Sequence, residues 1–152
     1  MPAPEMSTCF WFDSQALEAA QLYTSLFDGS RITEVFYKDG DPDKGAFTVA
    51  FTLLGQAYWG LNGGPLFKHS PAVSLTVHVD SQAEVDRLWA ALLAGGGTES
   101  RCGWLADRFG ISWQIIPRAL PRLLRADTTG RVMQAMIGMV KLDIAALEAA
   151  AR

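Results

Sequence analysis

Histidine, cysteine and net charge are all scarce in this chain, and each scarcity excludes something. Two cysteines, Cys9 and Cys102, cannot build a disulfide framework, and their separation is not that of metal ligands. A reduced, cytoplasmic setting is therefore expected. The two histidines, His69 and His78, are too few for a multi-histidine centre. A net charge of −3 gives no electrostatic basis for holding nucleic acid or an anionic membrane, so neither is expected as a partner. No apolar run reaches bilayer length. Residues Met1 to Glu5 lack the basic and apolar regions of a signal peptide. What remains is a chain that is 49% hydrophobic and 19% charged, enough apolar surface for a packed core.

The first half alternates between two periods. Met6 to Phe12 reads as a strand. Asp13-Ser14-Gln15-Ala16 starts a helix that carries Leu17, Ala20, Leu22, Tyr23, Leu26 and Phe27 at helical spacing as far as Gly29. Arg31 to Lys38 is a second strand, followed by a polar loop over Asp39 to Asp43. From Ala46 to Leu54, Phe47, Val49, Phe51 and Leu53 alternate with Thr48, Ala50 and Thr52. Gly55 then turns the chain into a fourth strand, Gln56 to Asn62. The order is β-α-β-β-β.

After a linker from Gly63 to Pro71, the order repeats. Val73, Leu75, Val77 and Val79 alternate with Ser74, Thr76 and His78. Asp80-Ser81-Gln82-Ala83 restates the four residues that opened the first helix. Leu88, Leu92 and Leu93 mark a second helix, stopped by Gly95-Gly96-Gly97. Strands follow at Thr98 to Arg101, Trp104 to Arg108 and Ile111 to Pro117, the last half-buried and ended by the proline. Asp107 to Gly110 is the hairpin turn, with Asp107 bonding its own backbone. Strand, cap, helix and final strand in one fixed order, twice, indicate internal duplication.

Beyond Pro117 the pattern is helical. Leu120, Leu123 and Leu124 come first, Asp127 to Gly130 breaks the run, and Val132, Met133, Met136, Ile137 and Met139 form a Met-rich stripe. Asp143 caps a last helix through Leu147. The stripe is expected to pack over the sheets or against a partner subunit. The expectation is one α+β domain: a module over about 5–64, a second over about 72–117, and C-terminal helices over about 118–152.

Five stretches carry a family likeness. They are Phe10-Trp11-Phe12-Asp13, the run Ala19 to Phe27, Leu61-Asn62-Gly63-Gly64-Pro65, the run Cys102 to Pro117, and Arg131 to Met136. In these the chain resembles the PhnB-like branch of the vicinal-oxygen-chelate superfamily, which includes glyoxalases, bleomycin-resistance proteins and extradiol dioxygenases. Such proteins often bear the label 3-demethylubiquinone-9 3-methyltransferase. The resemblance implies two β-α-β-β-β modules forming an open curved barrel around a cavity, commonly completed by a homodimer. The first strand runs into Asp13-Ser14 with no glycine, unlike the Gly-rich turn of doubly wound methyltransferases.

Alternation assigns the candidate cavity. With Val73, Leu75, Val77 and Val79 turned to the helices, Ser74, Thr76 and His78 line the concave side. The repeat carries this onto Ser7, Cys9 and Trp11, the final strands add Trp59 in the first half and Ser112 and Gln114 in the second, and Trp104 at the hairpin either closes the cavity or simply packs. No carboxylate pair stands out on these strands. Enzymes of the superfamily hold a divalent ion through His and Glu on that side. Here the matching positions are Met6 or Ser7, Trp59, Ser74 and Gln114, so neither metal nor other cofactor is expected. No catalytic residue is assigned. His78 and Gln114 are the candidates, with His78 read more readily as a hydrogen-bonded structural residue. His69 is expected to be exposed in the linker, Phe67 is a candidate lid, and both thiols are expected to be buried and unreactive. Three readings stand: a metal-free dimeric protein that binds a small molecule, an enzyme on the same fold, and a structural interaction domain.

Overall fold

The computed structural model describes residues 1–152 and divides into two compact units, Met1–Lys68 and His69–Arg152. The first unit contains β1 (Thr8–Phe12), α1 (Ala16–Leu26), β2 (Arg31–Tyr37), β3 (Ala46–Leu53) and β4 (Gln56–Asn62). Its sheet runs β1-β4-β3-β2, with β1 parallel to β4 and the other pairs antiparallel. Period-2 alternation decides the faces. Phe10, Phe12, Val49, Phe51 and Tyr58 are buried together with Ala16, Ala19, Ala20 and Tyr23 of α1. The Tyr58 ring stacks on Phe10 at 5.7 Å and on Phe51 at 5.5 Å. Gly60 lets the helix lie close, since a Cβ there would fall 2.9 Å from that of Ala16. Phe47 departs from the expected alternation and is exposed, beside the point where the β2–β3 register slips. Leu54 and Gly55 both have positive φ, 49° and 83°, as a two-residue hairpin between β3 and β4 requires.

The start of α1 corrects one expectation. Gln15 occupies the N-cap position without a side-chain bond. The cap comes instead from β4: Asn62 Oδ1 accepts from Ala16 N at 2.9 Å, and Asn62 Nδ2 donates to the Ala46 carbonyl at 3.0 Å. In the second copy Ser81 caps in the ordinary way, its hydroxyl accepting from Glu84 N at 3.2 Å.

The second unit contains β5 (Ser74–Val79), α2 (Gln82–Leu93), β6 (Thr98–Glu99), β7 (Trp104–Ala106) and β8 (Ser112–Pro117). Its sheet order, β5-β8-β7-β6 with β5 parallel to β8, reproduces the first sheet strand for strand. The internal duplication is thus visible in topology. Three helices follow: α3 (Ala119–Ala126), α4 (Arg131–Ile137) and α5 (Ile144–Ala150).

β8 is buried along its length except at Gln114, which is half-buried, so the half-buried strand expected here is corrected. Trp113 and Ile115 alternate to the side packed by α2. Ile116 points the other way, into a core formed by Leu120, Val132, Leu142 and Leu147 of the C-terminal segment. Met136 and Met139 pack against that core, whereas Met133 and Ile137 are exposed. The segment is also tied down by polar bonds. Cys102 N donates to Met139 O at 2.9 Å and Gly103 N to Val140 O at 2.8 Å. Gln82 acts as a clasp: Nε2 donates to Leu142 O at 3.0 Å and Oε1 accepts from Ile144 N at 2.9 Å.

Asp127 caps the turn before α4. Its carboxylate accepts from the Thr129 hydroxyl at 2.6 Å, and from the amides of Val132 and Thr129 at 2.8 Å each. The Thr129 hydroxyl, then these amides, hold its pKa at about 2, below the ordinary 3.8. A depressed carboxylate pKa contributes stability above the ordinary value, and that contribution is lost as pH falls through the folded one. The protection of α4 amides, with exchange normalised to the unfolded chain at each pH, is therefore expected to fall between pH 3.8 and about 2. In Asp127→Asn that fall should vanish.

Candidate functional site

Each sheet has one face away from its helix, and strand register places the side chains there in rows. In the first unit one row is Cys9, Trp59, Ala50 and Glu34. The next is Trp11, Leu61, Thr48 and Phe36. Trp11 is held by the linker that follows β4. Its Nε1 donates to Gly64 O at 2.8 Å, and the Phe67 ring meets it edge-on at 4.9 Å. A Cβ at Gly63 would sit 2.3 Å from the indole, so only glycine fits there. Phe67, the candidate lid, thus lies against Trp11 while remaining 60% exposed.

An open-sided pocket of about 790 Å³ lies on this unit. Its lining includes Ser7, Glu34, Ala50, Thr52, Ala57 and Trp59. Among the residues expected to line a cavity, Trp59 lines it, while Cys9 and Trp11 share its face of the sheet outside the lining. At one end Gln56 Oε1 accepts from the Tyr58 hydroxyl at 3.1 Å, and burial raises the Tyr58 pKa.

In the second unit the corresponding rows are Ser74, Ser112 and Ala106, then Thr76, Gln114 and Trp104, then His78 and Ile116. Gln114 Nε2 donates to Ser74 Oγ at 2.9 Å. Ser112 is buried, Trp104 half-buried, and Thr76 and His78 are exposed. His78 stands on β5, an edge strand paired to β8, and its side chain has no hydrogen bond within the chain, which removes the partner that a structural role would need.

Other expectations need correction. Cys9 is exposed rather than buried, because β1 is an edge strand and its odd positions face away from α1. Partial burial nonetheless raises its pKa, so the thiol is not activated as a nucleophile. Cys102 is half-buried in a tight turn at φ 58°. His69 is half-buried, with its Cβ at 4.0 Å from where one would stand on Gly110, and is no freely exposed linker residue.

The donor set does not fit the divalent ion that the superfamily's enzymes hold. No three His, Cys, Asp or Glu side chains are grouped to hold a metal ion. Ser7, Trp59, Ser74 and Gln114 offer no carboxylate or imidazole, and the Gln114 amide is already bonded to Ser74.

Glu34 is the residue that sequence reasoning missed. A register shift between Ile32 and Glu34 leaves Thr33 as an extra residue, and Glu34 pairs with Ala50 on the open face. The available signal was the broken alternation of β2, where half-buried Ile32 and Val35 stand three apart instead of two.

Against known proteins, residues 4–116 match the family described as 3-demethylubiquinone-9 3-methyltransferase. The chain belongs to this family. A putative 3-demethylubiquinone-9 3-methyltransferase, PhnB protein, from Bacillus cereus is 29% identical at a TM-score of 0.68, over 75% of this chain and 99% of that one. Protein PA1353 from Pseudomonas aeruginosa is 20% identical at a TM-score of 0.63, over 76% and 98%. The fosfomycin resistance protein FosX from Listeria monocytogenes, 13% identical over 77% and 94% at a TM-score of 0.52, shares the fold alone. No curated protein sequence matches. The fold is that of the glyoxalase and bleomycin-resistance proteins. The family match ends within β8, so α3, α4 and α5 lie beyond it. No helix is long and apolar enough to cross a membrane.

Proposed function

We propose that this protein binds a small organic molecule on the open faces of its sheets, as a homodimer and without a resident metal ion. The observation that carries the reading is the pocket of about 790 Å³ beside Trp59, which pairs an aromatic wall with the hydroxyls of Ser7, Thr33 and Thr52 and the Gln56 amide. That is the usual make-up of a small-molecule site. The lack of imidazole and carboxylate at the expected ligand positions supports the metal-free part. Two free thiols accord with a cytoplasmic setting. The family description favours a second reading, methyl transfer on the same fold, with exposed His78 and half-buried Gln114 as the groups to test.

Ligand binding selective for the native state raises stability by about 2.7 kcal/mol at a hundredfold excess over Kd. A thermal-shift screen of small aromatic compounds and S-adenosylmethionine is expected to yield stabilising compounds whose effect is lost in Trp59→Ala and unchanged by chelator. If no compound stabilises the protein, the binding reading falls. If elemental analysis finds about one zinc or nickel per chain, the metal-free part falls. Methyl transfer from S-adenosylmethionine that disappears in His78→Ala or Gln114→Ala would establish the second reading instead.

A further inference from the structure

We infer that the pocket of the first unit is selective for small organic cations, with the Glu34 carboxylate and the Trp59 ring as the two recognition groups; this rests on the binding reading above. The charge of the lining comes first. Glu5 and Glu34 line the pocket, and no Lys, Arg or His does. Arg31, on the same edge strand, pairs with Thr52 and lies outside the lining. A ligand entering here meets negative charge only.

The backbone supports the same assignment. Arg31 pairs with Thr52 and Ile32 with Phe51, so an unbroken ladder would set Thr33 opposite Ala50 and turn Glu34 toward the helix face. The bulge at Thr33 reverses this and places Glu34 on the pocket side. Bulges re-aim side chains in this way beside functional sites. The carboxylate so placed is not spent on the fold: the ion pairs of Lys44, Arg87, Arg118 and Lys141 go to other acids, and Glu34 has no partner in the chain.

Spacing then sets the size of the occupant. Trp59 and Glu34 stand in one row with only Ala50 between them. Two strand separations put their backbones about 9–10 Å apart. Over the small Ala50 side chain there is room for one amine-bearing ring, with its face toward Trp59 and its ammonium toward Glu34. The Glu34 contact favours positive charge by ion pairing, and the Trp59 contact favours a flat aromatic body by stacking.

The test uses three probes of one shape: benzylamine (a cation at pH 7), benzyl alcohol and benzoate. Affinities are read by amide chemical-shift titration of the full chain. Benzylamine is expected to bind about tenfold more tightly than benzyl alcohol, with shifts at Glu34, Ala50 and Trp59, and benzoate most weakly. Added salt should weaken benzylamine alone. In Glu34→Gln, a change at an exposed position, the preference should fall within about twofold while benzyl alcohol binding is retained. If benzoate binds as well as benzylamine, or Glu34→Gln keeps the preference, the cation proposal is overturned while the binding reading stands. If none of the three shifts any residue of this face, the proposal falls; the broader screen above then decides whether the binding reading falls with it.

Discussion

Asp107→Ala is expected to destabilise the protein by roughly 3–5 kcal/mol, seen as a lower urea midpoint with an unchanged slope. The carboxylate is only 4% exposed. Its Oδ1 accepts from the amides of Phe109 and Ile111 at 2.9 and 3.1 Å, and its Oδ2 accepts from the Trp113 indole Nε1 at 2.9 Å. Truncation leaves these donors without that acceptor, and the indole N–H belongs to a side chain only 1% exposed. Bonds to a charged acceptor contribute about 1.5–3 kcal/mol each, so losing three of them exceeds the effect of an ordinary surface change. Asp107→Asn tests the charge separately, because the amide keeps the shape but presents an NH₂ to one set of donors. It should fall between Ala and the native residue, and the Trp113 indole proton resonance should move. A loss below about 1 kcal/mol in Asp107→Ala would mean that the β7–β8 turn is not held by this residue.

The same residue shows why some of the molecule was legible in sequence. Asp107 bonds within its own turn, so its role follows from local turn chemistry. The strand faces were legible for a similar reason: Val49, Phe51 and Leu53 alternate with Thr48, Ala50 and Thr52 over a few residues, and the observed burial follows that period. What escaped depends on partners distant in the chain. The cap of α1 is Asn62, far along the chain from the residues that resemble a cap. Gln82 and Gln15 occupy matching places in the repeated four residues, yet Gln82 clasps the C-terminal segment and Gln15 has nothing comparable to hold. Burial of β8 on both sides could not be read from the strand itself, because Ile116 is covered by helices beyond the duplicated part. Glu34 escaped because a single inserted residue inverts the face of those that follow it. The site was accordingly less legible than the fold: Trp59 followed from period and repeat, whereas the carboxylate in its row required the bulge to be seen.

Leu142→Ala separates the two roles open to the Met-rich C-terminal segment. Leu142 is fully buried among Ile116, Leu120, Val132 and Leu147, and its side chain lies so close to Gly103 that a Cβ there would be 3.0 Å from it. Truncating a leucine in such a site costs about 2–5 kcal/mol through lost transfer energy and the cavity left behind. Ile116 belongs both to this core and to β8, and the Cys102–Gly103 turn bonds both to the segment and, through Gly103 O, to Ile115 N. Loss of packing at Leu142 should therefore reach the sheet. Hydrogen exchange in β8 is expected to accelerate along with that in α4 and α5, and the urea midpoint should fall as one transition. Met133→Ala is the contrast: Met133 is exposed on α4, and its removal should change stability by no more than about 0.5 kcal/mol. If Leu142→Ala instead frees α4 and α5 while β8 keeps its protection, the segment is a detachable appendage, and its burial of Ile116 does not hold the second sheet together.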